Sequence, residues 1–261
     1  MSRLVELFPQ RGYTIVEVIM VLAVTGAIFA SAWGLFSGQS GETEFTQSMH
    51  DIESLIQSYS TEVLSGALPS GQSYACSAAT GRPVLDTNNQ AGIGTNEDCV
   101  FLGRAIQVTD QSGDISIYTV LGDRTQHNGS TDTGVPATTL SQADPEITLD
   151  TNGGNVWLRA YTLQGGATVK SSTIDSASGQ YPLIGFYNNL TRSGASTSLT
   201  AEGYQLTTNV KSCIENDPTC QPQAVAQWNL CMSDANGKTT AQLVTNVLPS
   251  GVTTKLNFVS C

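Results

Sequence analysis

Glu17 is the single ionisable residue in a run of apolar character that follows Gly12 and reads YTIVEVIMVLAVTGAIFASAWGLF, ending at Phe36. An ionised carboxylate in hydrocarbon costs a few kcal/mol unless a cation or hydrogen-bond donors meet it. A lone acid near the start of such a span therefore marks a function, and its partner has to be found. Arg11-Gly12-Tyr13 lies just ahead of it and offers a bond at which a peptidase can release a new amine on Tyr13. That amine lies four residues from Glu17 in sequence, and on a neighbouring copy it can serve as the missing cation.

The second set of reactive side chains is six cysteines: Cys76, Cys99, Cys213, Cys220, Cys231 and Cys261, all beyond the apolar span. An even count in an oxidising compartment points to disulfides. Six cysteines allow fifteen connectivities, so spacing alone leaves the pairing open. The sequence-local choice is Cys76–Cys99, Cys213–Cys220 and Cys231–Cys261. Zinc is the competing reading. It is disfavoured because no CxxC pair occurs and both histidines, His50 and His127, lie far from the cysteines.

Signals for catalysis are poor. Gly237-Lys238-Thr239 matches the end of a phosphate-binding loop, but Met232 stands where that loop needs a glycine, so a hairpin turn is expected. No G-x-S-x-G nucleophile elbow occurs. His50 and His127 read as surface residues. Asp150, Asn152 and Asn155 surround a Gly-Gly turn and offer oxygen atoms to calcium, but without the ordered spacing of a calcium loop. The expectation is no cofactor and no metal.

These residues have to be positioned by elements of two kinds. The apolar run is about 24 residues, roughly 36 Å as a helix, which suits a full bilayer span. Arg3 and Arg11 precede it while Glu42, Glu44 and Asp51 follow it, which keeps the N-terminus in the cytoplasm. The helical period continues past the span. Phe45, Met49, Ile52, Ile56, Tyr59 and Val63 recur at intervals of four and three, with Gln47, Ser48, Glu53, Ser54 and Gln57 between them. Ser65-Gly66 and Pro69 end the pattern. One helix is thus expected from about Tyr13 to Leu64, with Gly34, Gly38 and Gly41 as a weak zone or plain linker.

Beyond Gly66 the period becomes two. Strands are expected at Cys99–Val108, Asp114–Gly122, Asn155–Leu163, Pro182–Asn188, Val225–Met232, Thr240–Leu248 and Thr253–Val259. Asn236-Gly237 between two of them is a hairpin signal, because both residues accept positive φ. Segments 123–145 and 188–203, rich in Thr, Ser, Gly and Asn, read as long exposed loops. No domain boundary is visible within 66–261.

The chain carries 11 basic and 22 acidic residues among 261, a net charge of −11. Removing residues 1–12 leaves −12. Such a surface disfavours phosphate backbones, whose binding depends on Lys and Arg. Nucleic acid is therefore not an expected partner.

The N-terminal pattern resembles type IV pilins and pseudopilins, which carry the class III signal peptide. The matching residues are a short leader ending in Gly12, Tyr13 as first mature residue, Thr14, Glu17 in the fifth mature position, and an apolar helix with Gly26. The resemblance covers roughly residues 1–64. Tyr13 stands where Phe is usual, Gly34 where major pilins often have Pro, and the leader is less polar than many. More loosely, Trp228 to Lys238 is similar to the final hairpin of minor pilins and H-type pseudopilins.

The resemblance implies an α+β, pilin-like fold. A transmembrane and filament-core helix would pack its soluble half on an antiparallel β-sheet domain with disulfides. The chain would divide into a leader at 1–12, the membrane half of the helix at 13–36, its amphipathic half at 37–65, and an exported domain at 66–261. A prepilin peptidase would cut after Gly12, Tyr13 would be N-methylated, and Glu17 would pair with the Tyr13 amine of the adjacent subunit. The partners implied are other pilin subunits, the peptidase, an inner-membrane assembly platform, and the membrane before assembly. The location would be the inner membrane first and an extracytoplasmic filament after. The role implied is structural, not enzymatic, and the size of 66–261 favours a minor pilin or pseudopilin over a main repeating subunit. Two alternatives stay open for the role, an adhesin on a pilin stalk and an uncleaved membrane-anchored exported enzyme, and for the apolar segment itself a conventional secretory signal is the further reading.

Overall fold

A computed structural model describes residues 13–66, 73–76, 83–86, 99–128, 131–147, 158–175, 177–188, 198–205, 210–215 and 220–261. Of these, residues 34–40, 73–76, 83–86, 99, 127, 128, 132, 158 and 159 are described by their backbone alone. The chain divides into two compact units, residues 1–43 and 44–261.

The long helix α1 spans Ile15–Ser65, so one element runs through both units. It stops where the sequence supplies a glycine. Gly66 takes φ +63°, and its N–H donates to Val63 O at 3.1 Å, closing the last turn. The expected strands are present with small shifts, residues 155–157 of one of them lying outside the described residues, and further strands join them. In chain order they are β1 (Ser73–Cys76), β2 (Pro83–Asp86), β3 (Cys99–Val108), β4 (Asp114–Asp123), β5 (Thr125–Asn128) and β6 (Thr131–Pro136). There follow β7 (Glu146–Ile147), β8 (Leu158–Thr162), β9 (Thr168–Ile174), β10 (Leu183–Asn188) and β11 (Leu199–Tyr204). A five-residue helix α2 (Val210–Ile214) precedes β12 (Gln223–Ala224), β13 (Gln227–Ser233), β14 (Thr240–Leu248) and β15 (Gly251–Asn257).

Among the described residues the strand pairings are antiparallel. The larger sheet has the order β12-β11-β10-β3-β4-β7, with β8 also on β4. The smaller runs β15-β14-β13-β9. The chain is therefore α+β: a helix and mostly antiparallel sheet.

Alternation explains how the second unit closes. Ala241, Leu243 and Thr245 on β14 are buried, while Gln242, Val244 and Asn246 are partly open. The apolar stripe of α1 from Phe45 to Val63 shares one core with Ile106 and Ile117 of the larger sheet and Trp228 and Leu243 of the smaller. Each stripe residue, Phe45, Met49, Ile52, Ile56, Tyr59 and Val63, is buried, as the four-and-three spacing requires.

The larger sheet is covered on its other face as well. Leu102, Ala105, Val120, Leu183 and Tyr187 form a second core with Val210, Ile214 and the paired Cys213 and Cys220. On β4, Leu121 is buried in the first core, and the neighbouring Val120 is buried as well because this second cover exists.

Two expectations need correction. Segment 123–145 is not one exposed loop: it holds β5, β6, a 3₁₀ turn at Ser141–Ala143, and buried Asp123, Ala137 and Ala143. Segment 188–203 contains most of β11, with Leu199 and Ala201 in the core, while residues 189–197 lie outside the described residues. Threonine explains both misreadings. It is common in loops, but its branched Cβ also suits a pleated strand. The hairpin at Asn236-Gly237 forms between β13 and β14, with a wider turn than a two-residue one. Only Gly237 takes positive φ (+67°), with Gly237 N–H donating to Asp234 O at 3.1 Å and Asp234 N–H to Thr239 O at 2.9 Å.

Candidate functional site

The first unit presents its apolar residues outward. Ile15–Trp33 is long and apolar enough to cross a bilayer, and the same features suit a signal sequence near an N-terminus. Its polar atoms are satisfied along the helix. Thr25 Oγ1 donates to Val21 O at 2.7 Å, and Ser31 Oγ to Ala27 O at 3.0 Å. In hydrocarbon such internal bonding is obligatory, because no water competes.

Glu17 is the exception. It sits in the first turn, where the positive end of the helix dipole favours a carboxylate. Thr14 is the cap: its Oγ1 accepts from Glu17 N–H at 3.3 Å, and its carbonyl accepts from Glu17 N–H at 3.0 Å and Val18 N–H at 3.2 Å. Thr14-Ile15-Val16-Glu17 is thus the Ser/Thr-x-x-Glu spacing of a helix start, a signal in the sequence that the reading of Glu17 alone passes over. Among the described residues no cation reaches the Glu17 carboxylate, and both Tyr13 and Glu17 are exposed. Gly12 lies outside the described residues.

The second unit contains a different acid–base pair. Arg104 on β3 is 2% exposed and meets Glu62 of α1 in a fork. Nη2 donates to Oε1 at 2.7 Å and Nε to Oε2 at 3.2 Å. Nη1 donates to Thr119, and the guanidinium lies 5.3 Å from the Tyr59 ring centroid and 5.5 Å from that of Phe101. An arginine inside the apolar run Cys99–Val108 was the available sign of this site. Two of the donors meet the Glu62 carboxylate and a third meets Thr119 on β4, so the arrangement fastens α1 to the sheet.

A second polar group lies under α2. Tyr187 Oη lies 3.1 Å from Tyr204 Oη, which donates to Glu202 Oε2 at 2.8 Å. Burial pushes both phenols up from their ordinary values. Burial also raises the Glu202 carboxyl, with the Tyr204 hydrogen bond pulling partly back. Nearby, Lys211 of α2 donates to Glu146 Oε1 at 3.2 Å and to Glu215. Burial lowers its pKa, but those bonds and charges outweigh it and the net shift is upward.

The cysteines pair as the sequence-local choice has it at two of three places: Cys213–Cys220 and Cys231–Cys261. The Cys76–Cys99 pairing lies outside the described side chains. His50 is exposed beside Glu53, with Nδ1 3.3 Å from Oε2; the His127 side chain is undescribed. Asp150, Asn152 and Asn155 lie outside the described residues. Lys238 belongs to the β13–β14 turn, where its N–H donates to Asp234 Oδ1 at 2.8 Å. Among the described residues no cluster of His, Cys, Asp or Glu is arranged to hold a metal. No family model, curated protein or solved structure matches the chain.

Proposed function

We propose that the chain is a pilin-like or pseudopilin-like subunit, anchored in the inner membrane first and then assembled into, priming or capping an extracytoplasmic filament. One observation carries this reading: an outward-facing apolar segment, Ile15–Trp33, whose only ionisable group, Glu17, has a capped backbone but no cation among the described residues. Cleavage after Gly12 supplies a cation of the right kind, the Tyr13 amine of the adjoining subunit. The apolar residues leave lipid for a core of neighbouring helices, so their burial is retained on transfer. The pairing of acid and amine then sets the axial register.

Mass spectrometry of the mature chain tests the first step, with Tyr13 expected at the N-terminus and methylated. A retained leader would favour an anchored enzyme instead. Quantifying sheared filaments tests the second. Glu17→Ala lowers incorporation at least about tenfold, the effect of losing about 1.4 kcal/mol. Incorporation at the unaltered level would end the pairing mechanism. An adhesin on the same stalk would show lost adhesion with intact filaments when the exposed residues 133–136 are altered.

A further inference from the structure

The smaller sheet has one face in the core and one face outside it. On the outer face, Thr173, Asn229, Val244 and Lys255 lie in one row across β9, β13, β14 and β15. Gln227, Asn246 and Thr253 form the next row. None of the four strands contains an Asp or Glu, in a chain that has 22 of them. Lysines stand around this neutral centre: Lys170 at the β9 bulge, Lys255 on the edge strand, and Lys238 on the turn at one end, all exposed. Asp175 and Asp234 flank the face, and each accepts a main-chain N–H: Gln227 at 2.9 Å and Lys238 at 2.8 Å.

The face also carries fixed apolar groups. The Cys231–Cys261 disulfide draws the C-terminal tail back over β13 and β14, and Thr240 Oγ1 donates to Val259 O at 2.7 Å. Phe258 and Val259 remain 50% and 46% exposed in that held position, and Leu248 at the far end of β14 is 44% exposed. An uncharged, partly apolar centre with charge at its rim is the anatomy of a protein–protein contact.

Copies of an acidic chain repel one another, and placing like charges together costs several kcal/mol. Packed copies therefore have to meet through a surface that is neutral or positive on at least one side, and this face is both. From strand spacing and the nine residues of β14, it covers about 600 Å². A standard stable interface needs about 800 Å² per partner, so this face does not hold a dimer alone. It suits a contact reinforced elsewhere, as in a polymer joined through helices.

We infer that the outer face of β9-β13-β14-β15 docks on a carboxylate-bearing surface of a second copy of this chain. Glu44 and Asp110, exposed and without a partner among the described residues, supply acids of the required kind. The inference rests on the assembly reading above and adds which surface the second unit uses. It also implies more than one copy side by side.

The test uses the full-length chain in its membrane, with benzoylphenylalanine placed at Asn229 or Asn246 on the face and at Val135 as a control. Irradiation is expected to give a two-copy adduct from either face position and none from the control. Lys170→Glu with Lys255→Glu lowers its yield at least about fivefold. A processed, polymer-forming chain that gives no adduct, an adduct only with a different protein, or an adduct insensitive to charge reversal would overturn the docking face. A chain that keeps its leader and forms no polymer would overturn the assembly reading, and the docking face with it.

Discussion

Ile19 and Ile52 belong to the same helix, yet the first is 60% exposed and the second 1%. Around Ile19 the apolar residues go all the way round. Around Ile52 they form one stripe with Ser, Gln and Glu opposite. The two acids differ in the same way. Glu62 meets Arg104 in a two-bond fork within its own chain, while Glu17 meets no cation among the described residues. The second unit thus completes its helix internally, and the first leaves apolar surface and charge for lipid or another molecule to complete. A sheet covers one stripe of a helix and cannot wrap it. Residues apolar on every side therefore need a surrounding medium or several neighbours.

Substitutions in the two units test this contrast. The largest effect is expected at the internal pair. Arg104→Ala strands the Glu62 carboxylate beside the core and removes a donor to Thr119, at a cost of about 3–5 kcal/mol. Glu62 is about one-fifth exposed at its side chain, so solvent screening places the result at the lower end of that range. Urea unfolding followed by circular dichroism checks it. Arg104→Met with Glu62→Leu should recover most of the loss, and a single variant costing under about 1 kcal/mol would make the pair no more than a surface bridge.

Next in size is the paired substitution along α1. Ile52→Ala should cost about 2–4 kcal/mol by opening a cavity between helix and sheets. Ile19→Ala should leave the unfolding midpoint of the second unit where it is and weaken retention in membranes, measured by carbonate extraction. If both shift the same midpoint, the two halves do not divide their roles as drawn.

The smallest effect is at Glu202. Its folded pKa is raised, chiefly by burial, so its favourable contribution is full below the unfolded carboxyl value of about 4.5. That contribution is lost as pH rises through the folded value. Glu202→Gln keeps an acceptor for Tyr204 and removes the charge. It should raise Tm slightly at neutral pH and leave it unchanged near pH 4. A pH-independent difference in calorimetry would show that the carboxyl is neutralised by something other than protonation.

Local patterns were read most fully where one residue type dominates a period. The ends of β14 coincide with its alternation, the α1 stripe is buried residue for residue, and the glycine stop lies where Gly66 permits positive φ. Reading was weakest where polar residues build strands. β9, Thr-Val-Lys-Ser-Ser-Thr-Ile, went unforeseen because its bulge at Lys170 breaks the alternation. Helix α2 is too short for a periodic signal and lies beside a disulfide that closes only seven residues. At the candidate site, Glu17 was conspicuous as a charge among apolar neighbours. Thr14 was less so, since a cap shows itself only through the backbone donor it accepts.

Residue order along single stretches is enough for the helix with its two kinds of surface and for most strand positions, whereas the cysteine pairs Cys213–Cys220 and Cys231–Cys261 are chosen from fifteen connectivities by the fold. Helix and strands depend on short spacings along one stretch. Only the tertiary structure decided that Arg104 would meet Glu62, that Tyr187 and Tyr204 would lie under a second cover, and that the smaller sheet would leave a carboxylate-free face open. Each of those outcomes depends on which distant segments come to lie side by side. Burial, partner and pKa are properties of that juxtaposition, and no single stretch of sequence contains it.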